Sequence, residues 1–132
     1  MLIPLMIALS EPVHLVQAEP CKMTMLRNSR SHYDDEINNC PLLQGNFYNN
    51  DWKVELSKWE PGVYVYRGTN RITGDKIELM SSQVFGTVDR PQYRFKNGEV
   101  VYAVSFQRSD PTTIRVEIFE NGTRIFNQLL NR

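Results

Sequence analysis

The residues able to do acid–base or ligand chemistry are few. Two histidines, His14 and His32, and two cysteines, Cys21 and Cys40, stand in a chain of 132 residues. Nucleophilic catalysis of the Ser–His–Asp kind needs a histidine held rigidly beside its partners, and a strand–turn–helix hydrolase carries its serine in Gly-x-Ser-x-Gly. No such elbow occurs, and His32 stands in a polar stretch that reads as loop. The acidic run Asp34-Asp35-Glu36 lacks the spaced oxygen ligands and glycine of a calcium loop, so it reads as a solvated turn. There is no phosphate-cradling glycine loop and no dinucleotide fingerprint. No catalytic residue, metal ligand or cofactor is therefore expected. A carboxylate pair of the glycosidase type leaves no mark in sequence, so an unrecognised hydrolase stays as the last alternative to a non-enzymatic domain.

Cys21 and Cys40 are suited to structure instead. They form no Cys-x-x-Cys redox motif, and two cysteines with one distant histidine make no zinc set. A bridge between them closes a loop that would stabilise the fold by about 3 kcal/mol on the chain-entropy model. Such bridges persist outside the cytosol. The N-terminus points the same way. Met1–Leu9 is apolar apart from Pro4, and Val16 and Ala18 supply small residues at the −3 and −1 positions of a leader-peptide cleavage site. Residues 1–18 are thus expected to be a signal peptide, with Glu19 as the mature N-terminus and a periplasmic or extracellular destination. No Lys or Arg precedes the apolar run. That run is less than half of the roughly 20 residues a transmembrane helix needs.

Fifteen Lys and Arg balance fifteen Asp and Glu, which argues against a phosphate-neutralising surface and hence against nucleic acid as partner. Arg outnumbers Lys ten to five, and several arginines adjoin aromatics. Arg67, Arg94, Arg115 and Arg124 should point outward from strands. They form either a row for an acidic polymer or protein partner, or a solvated face balanced by Glu78, Glu99 and Glu117. Tyr64 and Tyr66, with Trp52 and Trp59, read either as a binding groove or as core and rim.

The elements that must position these residues are strands. Residues 19–60 are expected to be an irregular, disulfide-tethered segment of the same domain. Within it Phe47-Tyr48 and Trp52–Leu56 suggest strands around an Asn49-Asn50-Asp51 turn, with a short helix over 50–59 as the rival. Residues 61–132 read as an antiparallel meander. Strands at 63–69, 76–80 and 83–88 are followed by hairpins at Asn97-Gly98 and Asn121-Gly122, the dipeptide that suits a type I′ turn. The first pairs Lys96 with Glu99 and Tyr93 with Tyr102. The second pairs Ile118 with Ile125 and Ile114 with Leu129, leaving Asn127 as a lone polar residue on their face. Gly98, unlike Gly45, is expected to need positive φ. The fold class is all-β: a meander of 6–8 strands rolled into a small barrel or two-layer sandwich, which removes exposed edges.

The stretch Gly62-Val-Tyr-Val-Tyr-Arg-Gly68, the hairpin Tyr93-Arg-Phe-Lys-Asn-Gly98 and the ending Asn127-Gln-Leu-Leu130 resemble small exported proteins of cyanobacterial type. The resemblance covers about the last 70 residues and implies a bacterial periplasmic or extracellular setting. It implies no activity. A looser likeness in architecture is to periplasmic β-barrel inhibitors of lysozyme, though no inhibitory loop is matched. The expectation is a monomeric exported β-domain that binds a protein partner or cell-envelope polymer through its outer face or barrel mouth. A carrier of a small apolar ligand in a barrel cavity is the alternative.

Overall fold

The computed structural model describes residues 18–27 and 35–132. The leader expected at residues 1–18 falls outside them save for Ala18, as do His32 and Asp34. The chain forms β1 (Met23–Leu26), β2 (Asp35–Asn38), β3 (Gly45–Tyr48), β4 (Trp52–Glu60), β5 (Val63–Asn70), β6 (Lys76–Ser81), β7 (Gln83–Thr87), β8 (Arg90–Asn97), β9 (Val100–Gln107), β10 (Asp110–Glu120) and β11 (Thr123–Asn131). All pairings are antiparallel. β1 and β2 form a two-stranded sheet, and the other nine form one sheet in the order β6-β5-β4-β3-β11-β10-β9-β8-β7. The described residues between 23 and 60 are therefore mostly strand rather than irregular, and Trp52–Glu60 is strand rather than helix.

The large sheet is two meanders, β3 to β6 and β7 to β11, laid side by side. Its terminal strands, β6 and β7, are consecutive in the chain with only Ser82 between them. They meet end to end, and no ladder joins them laterally, so the sheet is not closed into a barrel. The other side of β7 is covered instead by the N-terminal residues: Cys21 N donates to Gly86 O at 3.0 Å, Val88 N donates to Glu19 O at 2.8 Å, and Pro20 bridges Thr87. This shields a strand edge that would otherwise offer unpaired backbone groups. β5 and β8 stand far apart in the sheet order, yet Tyr64 meets Tyr93 edge to face with centroids 4.9 Å apart. The sheet thus bends back on itself. Period-two alternation sends Phe47, Tyr64, Tyr93, Phe95, Ile114 and Leu130 into the space between, each at most 2% exposed.

Both hairpins correct the expected register. At the first, Asn97 pairs with Val100 and Phe95 with Tyr102, so the two loop residues are Gly98 and Glu99 rather than Asn97 and Gly98. Gly98 has φ of 63° while Asn97 does not have positive φ, the pattern of a type II′ turn. The shift sets Tyr93 opposite Val104, both 0% exposed. A large ring lies beside a small side chain and not beside Tyr102, which leaves room for Tyr64. At the second hairpin Asn121 and Gly122, φ 49° and 82°, do form the expected loop. A β-bulge then intervenes. Phe119 pairs with Arg124, but Ile118 pairs with Phe126, so Ile125 is the extra residue. A one-residue slip exchanges the two faces of a strand. Phe126 and Leu130 therefore turn inward, Ile125 and Leu129 are exposed, and Asn127 leaves the core to accept a bond from Arg115 at 2.6 Å.

Candidate functional site

β5 runs between two differently finished ends of the bent sheet. At its start β1–β2 forms a cap. Cys21 and Cys40 are bridged, with Cα atoms 5.5 Å apart, which ties residue 21 to the end of β2. Asn38 Nδ2 lies 2.8 Å from the Tyr64 hydroxyl and 2.7 Å from that of Tyr93. Tyr93 donates to the Cys40 carbonyl, and Tyr64 donates to Glu36 Oε1. The other Glu36 oxygen accepts from Gly62 N at 2.5 Å and from Lys58 Nζ at 3.1 Å.

The Glu36 side chain is only 6% exposed, so the acidic run is not the solvated turn expected: its third residue is a buried anchor. Burial pushes the Glu36 carboxyl up, but the bonds from Tyr64, Gly62 and Lys58 outweigh it and hold the group below its ordinary value. Burial, then the Glu36 bond, pushes the Tyr64 hydroxyl strongly up. Tyr93 rises to about 12, chiefly through burial. Every group in this cluster is satisfied by another. Its chemistry is that of a clamp.

At the far end of β5 the interior is open. A pocket of about 220 Å³ lies between β4, β5, β6 and the β9–β11 side of the sheet. Val54, Val116 and Leu130 floor it, and Tyr66, Tyr102, Trp52 and Phe126 wall it. Asn70, Asp75 and Lys76 stand at its polar rim. Tyr66 is pushed well above the usual tyrosine value, first by burial and then by Tyr102, as expected of a hydroxyl in a dry wall. Gly68 helps make the space: a Cβ there would stand 2.9 Å from Tyr66 Cε1. Glycine inside a strand is a further mark of this site in the sequence, beside Tyr66 and Trp52.

The expected binding residues are divided among these settings. Tyr66 lines the pocket, whereas Tyr64 belongs to the clamp at the other end, and the two are 4% and 2% exposed. Trp52 lines the pocket and Trp59 is 65% exposed. The arginines face outward and are engaged within the chain. Arg67 bonds Glu55 and Glu78 at 3.1 and 2.7 Å, Arg124 bonds Glu117 at 3.1 Å, and Arg94 lies 4.1 Å from the Phe85 ring. Arg115 bonds the neutral Asn127. Phe126, Ile77 and Asn70 were not legible as site residues; Phe126 reaches the pocket only through the bulge.

Among the described residues no group of three or more His, Cys, Asp or Glu is placed to hold a metal ion, and no helix is long and apolar enough to cross a membrane. Comparison with protein-family models, with curated proteins and with solved structures finds no match.

Proposed function

We propose that this is an exported, non-catalytic binding domain whose ligand inserts one apolar group, about the size of an aromatic ring, into the pocket at the far end of β5. The observation that carries this reading is the pocket itself: an open, mostly apolar recess of about 220 Å³ with four aromatic walls and a polar rim. An apolar cavity of roughly 150 Å³ takes benzene, and drug-sized sites start at about 300 Å³. A single ring or short branched chain therefore matches, whereas a long acyl chain does not. The interior below the pocket is filled by Tyr64, Tyr93 and Phe95, which weighs against a carrier with a deep cavity. The Cys21–Cys40 bridge supports an oxidising location.

The test is titration of the disulfide-bonded protein with p-cresol, followed by Trp52 emission, excited where the cresol does not absorb, in a Trp59→Phe background. The reading expects a saturable change that Gly68→Phe abolishes. Emission unaltered up to millimolar ligand would contradict it.

A further inference from the structure

The sheet is nearly interrupted beside the pocket. β11 pairs with β10 along its whole length, but on its other side β3 meets it at a single pair, Asn131 with Tyr48. The chain turns away at Asn49-Asn50-Asp51, so β11 from Thr123 to Gln128 projects past the β3–β4 hairpin with no strand on that side among the described residues. The direction of its backbone groups follows from one bond. Leu129 O accepts from Asn49 Nδ2 at 3.3 Å, on the side away from β10. Antiparallel pairs alternate, so Leu129 and Asn127 both direct N–H and C=O toward the gap. The edge of β7 is covered by residues 19–21; this stretch of β11 has no such cover among the described residues. Trp52 and Phe126, whose rings meet across this junction with centroids 5.4 Å apart, both line the pocket on the inner side of the sheet.

We propose, building on the binding reading above, that the ligand is an extended peptide segment of another protein that adds as a strand to β11 at Thr123–Leu129 and places one aromatic or branched side chain in the pocket. The outward N–H and C=O of Asn127 and the N–H of Leu129 have no ladder partner on that side among the described residues, and an added backbone is complementary to them, displacing the Asn49 side chain from the Leu129 carbonyl. Alternate side chains of an added strand point to one face, which is where the pocket lies. Charge sets the flanking residues. Arg115 shares the outer recess beside the gap with one acid, Asp51, while Arg71 and Lys53 lie over the ring of the neighbouring Tyr48; none of the three cations has a carboxylate within ion-pair distance among the described residues, and the nearby Glu117 is taken by Arg124. The segment is therefore acidic on either side of its apolar residue. A second copy of β11 does not fit, because its inward residues Phe126 and Leu130 are already used in its own core.

The probe is the synthetic peptide Ac-Val-Glu-Phe-Glu-Val-NH2, in which Phe faces the pocket and both Glu residues face outward, beside the same peptide with Ala for Phe, and the readout is amide exchange and chemical shift in the disulfide-bonded protein. Binding should protect the Asn127 and Leu129 amides and shift pocket residues, with weaker binding of the Ala peptide. Asn127→Pro removes an outward donor without touching the β10 ladder and should weaken binding by about tenfold, whereas Asn127→Ala, which keeps the N–H, should not. Circular dichroism confirms that both variants fold. Pocket shifts without protection at Asn127 and Leu129 would overturn strand addition while leaving the pocket reading intact. Equal binding of the Phe and Ala peptides would overturn the pocket reading. Protection that rises with protein concentration in the absence of peptide would assign the edge to a second copy and overturn the proposal.

Discussion

Trp52 and Phe126 meet edge to face, ring centroids 5.4 Å apart, across the narrowest junction in the nine-stranded sheet. Where the β3–β11 ladder is reduced to one residue pair, two rings keep the halves of the sheet in contact. Side-chain packing thus replaces backbone pairing at the wall of the pocket. Edge-to-face pairs contribute about 1 kcal/mol beyond their area. Both rings are only partly buried, so Phe126→Ala should destabilise by about 2 kcal/mol, below the range for fully buried aromatics. Urea unfolding measures it. A cost near zero would mean that the junction is held elsewhere.

The clamp around Glu36 sets acid stability. Because its folded pKa lies below the ordinary value of 4.5, its contribution is fully present above that value. It is lost as pH falls through the folded value. Unfolding midpoints followed downward from pH 6 should therefore drop more steeply below about pH 4.5 in the parent than in Glu36→Gln. Parallel curves would contradict the clamp. At neutral pH Glu36→Ala leaves the Tyr64 hydroxyl and Gly62 N–H without their acceptor and should cost about 3 kcal/mol, while Lys58→Ala, at a half-exposed partner, should cost under about 1 kcal/mol.

Gly86 is the glycine the fold can least replace. Its φ is 84°, and a Cβ would lie 2.3 Å from the Arg90 carbonyl oxygen, a backbone atom that cannot swing aside. Gly74 has nearly the same φ, 82°, with nothing within 4 Å. Gly74→Ala should therefore cost about 1 kcal/mol and Gly86→Ala several times that, read as a difference in chemical unfolding midpoint. Gly45 also has positive φ, 138°, and Arg132 Nη1 would stand 2.9 Å from its Cβ. The expected contrast between Gly98 and Gly45 is thus withdrawn: both positions favour glycine.

The bulge makes an unusual deletion tolerable. Removing Ile125 leaves Phe119 opposite Arg124 and Ile118 opposite Phe126 in one continuous ladder, so Phe126 and Leu130 still face inward. Removing Asn127 instead turns Phe126 to the outer face or breaks the pairing. Deletion of Ile125 should change stability by no more than about 1 kcal/mol, whereas deletion of Asn127, which takes Phe126 out of the inner face, should cost about 2 kcal/mol or more. Equal damage from both would refute the register.

What could be read from sequence followed from local rules. Strand patterning after residue 61, the Asn121-Gly122 turn and the cysteine pairing depend on neighbours along the chain or on elimination among few candidates. The Gly98 register and the Ile125 bulge were not legible, because both are decided by rings that meet across the core, Tyr64 on Tyr93 and Trp52 on Phe126. Glu36 looked solvated for the same reason: its partners Tyr64, Gly62 and Lys58 lie more than twenty residues away. The pocket forms where six strands converge; Tyr66 and Trp52 among the groove candidates and Gly68 mark it locally, while Phe126, Ile77 and Asn70 are brought to it by the fold alone.

Methyl-resolved NMR with p-cresol tests the central claim most directly. The account predicts saturable shifts at the methyls of Val54, Ile77, Val116 and Leu130, which line the pocket, and none at Leu42, outside it. Shifts centred on the exposed Ile125, Leu129 and Ile72 with the pocket methyls unmoved would contradict it.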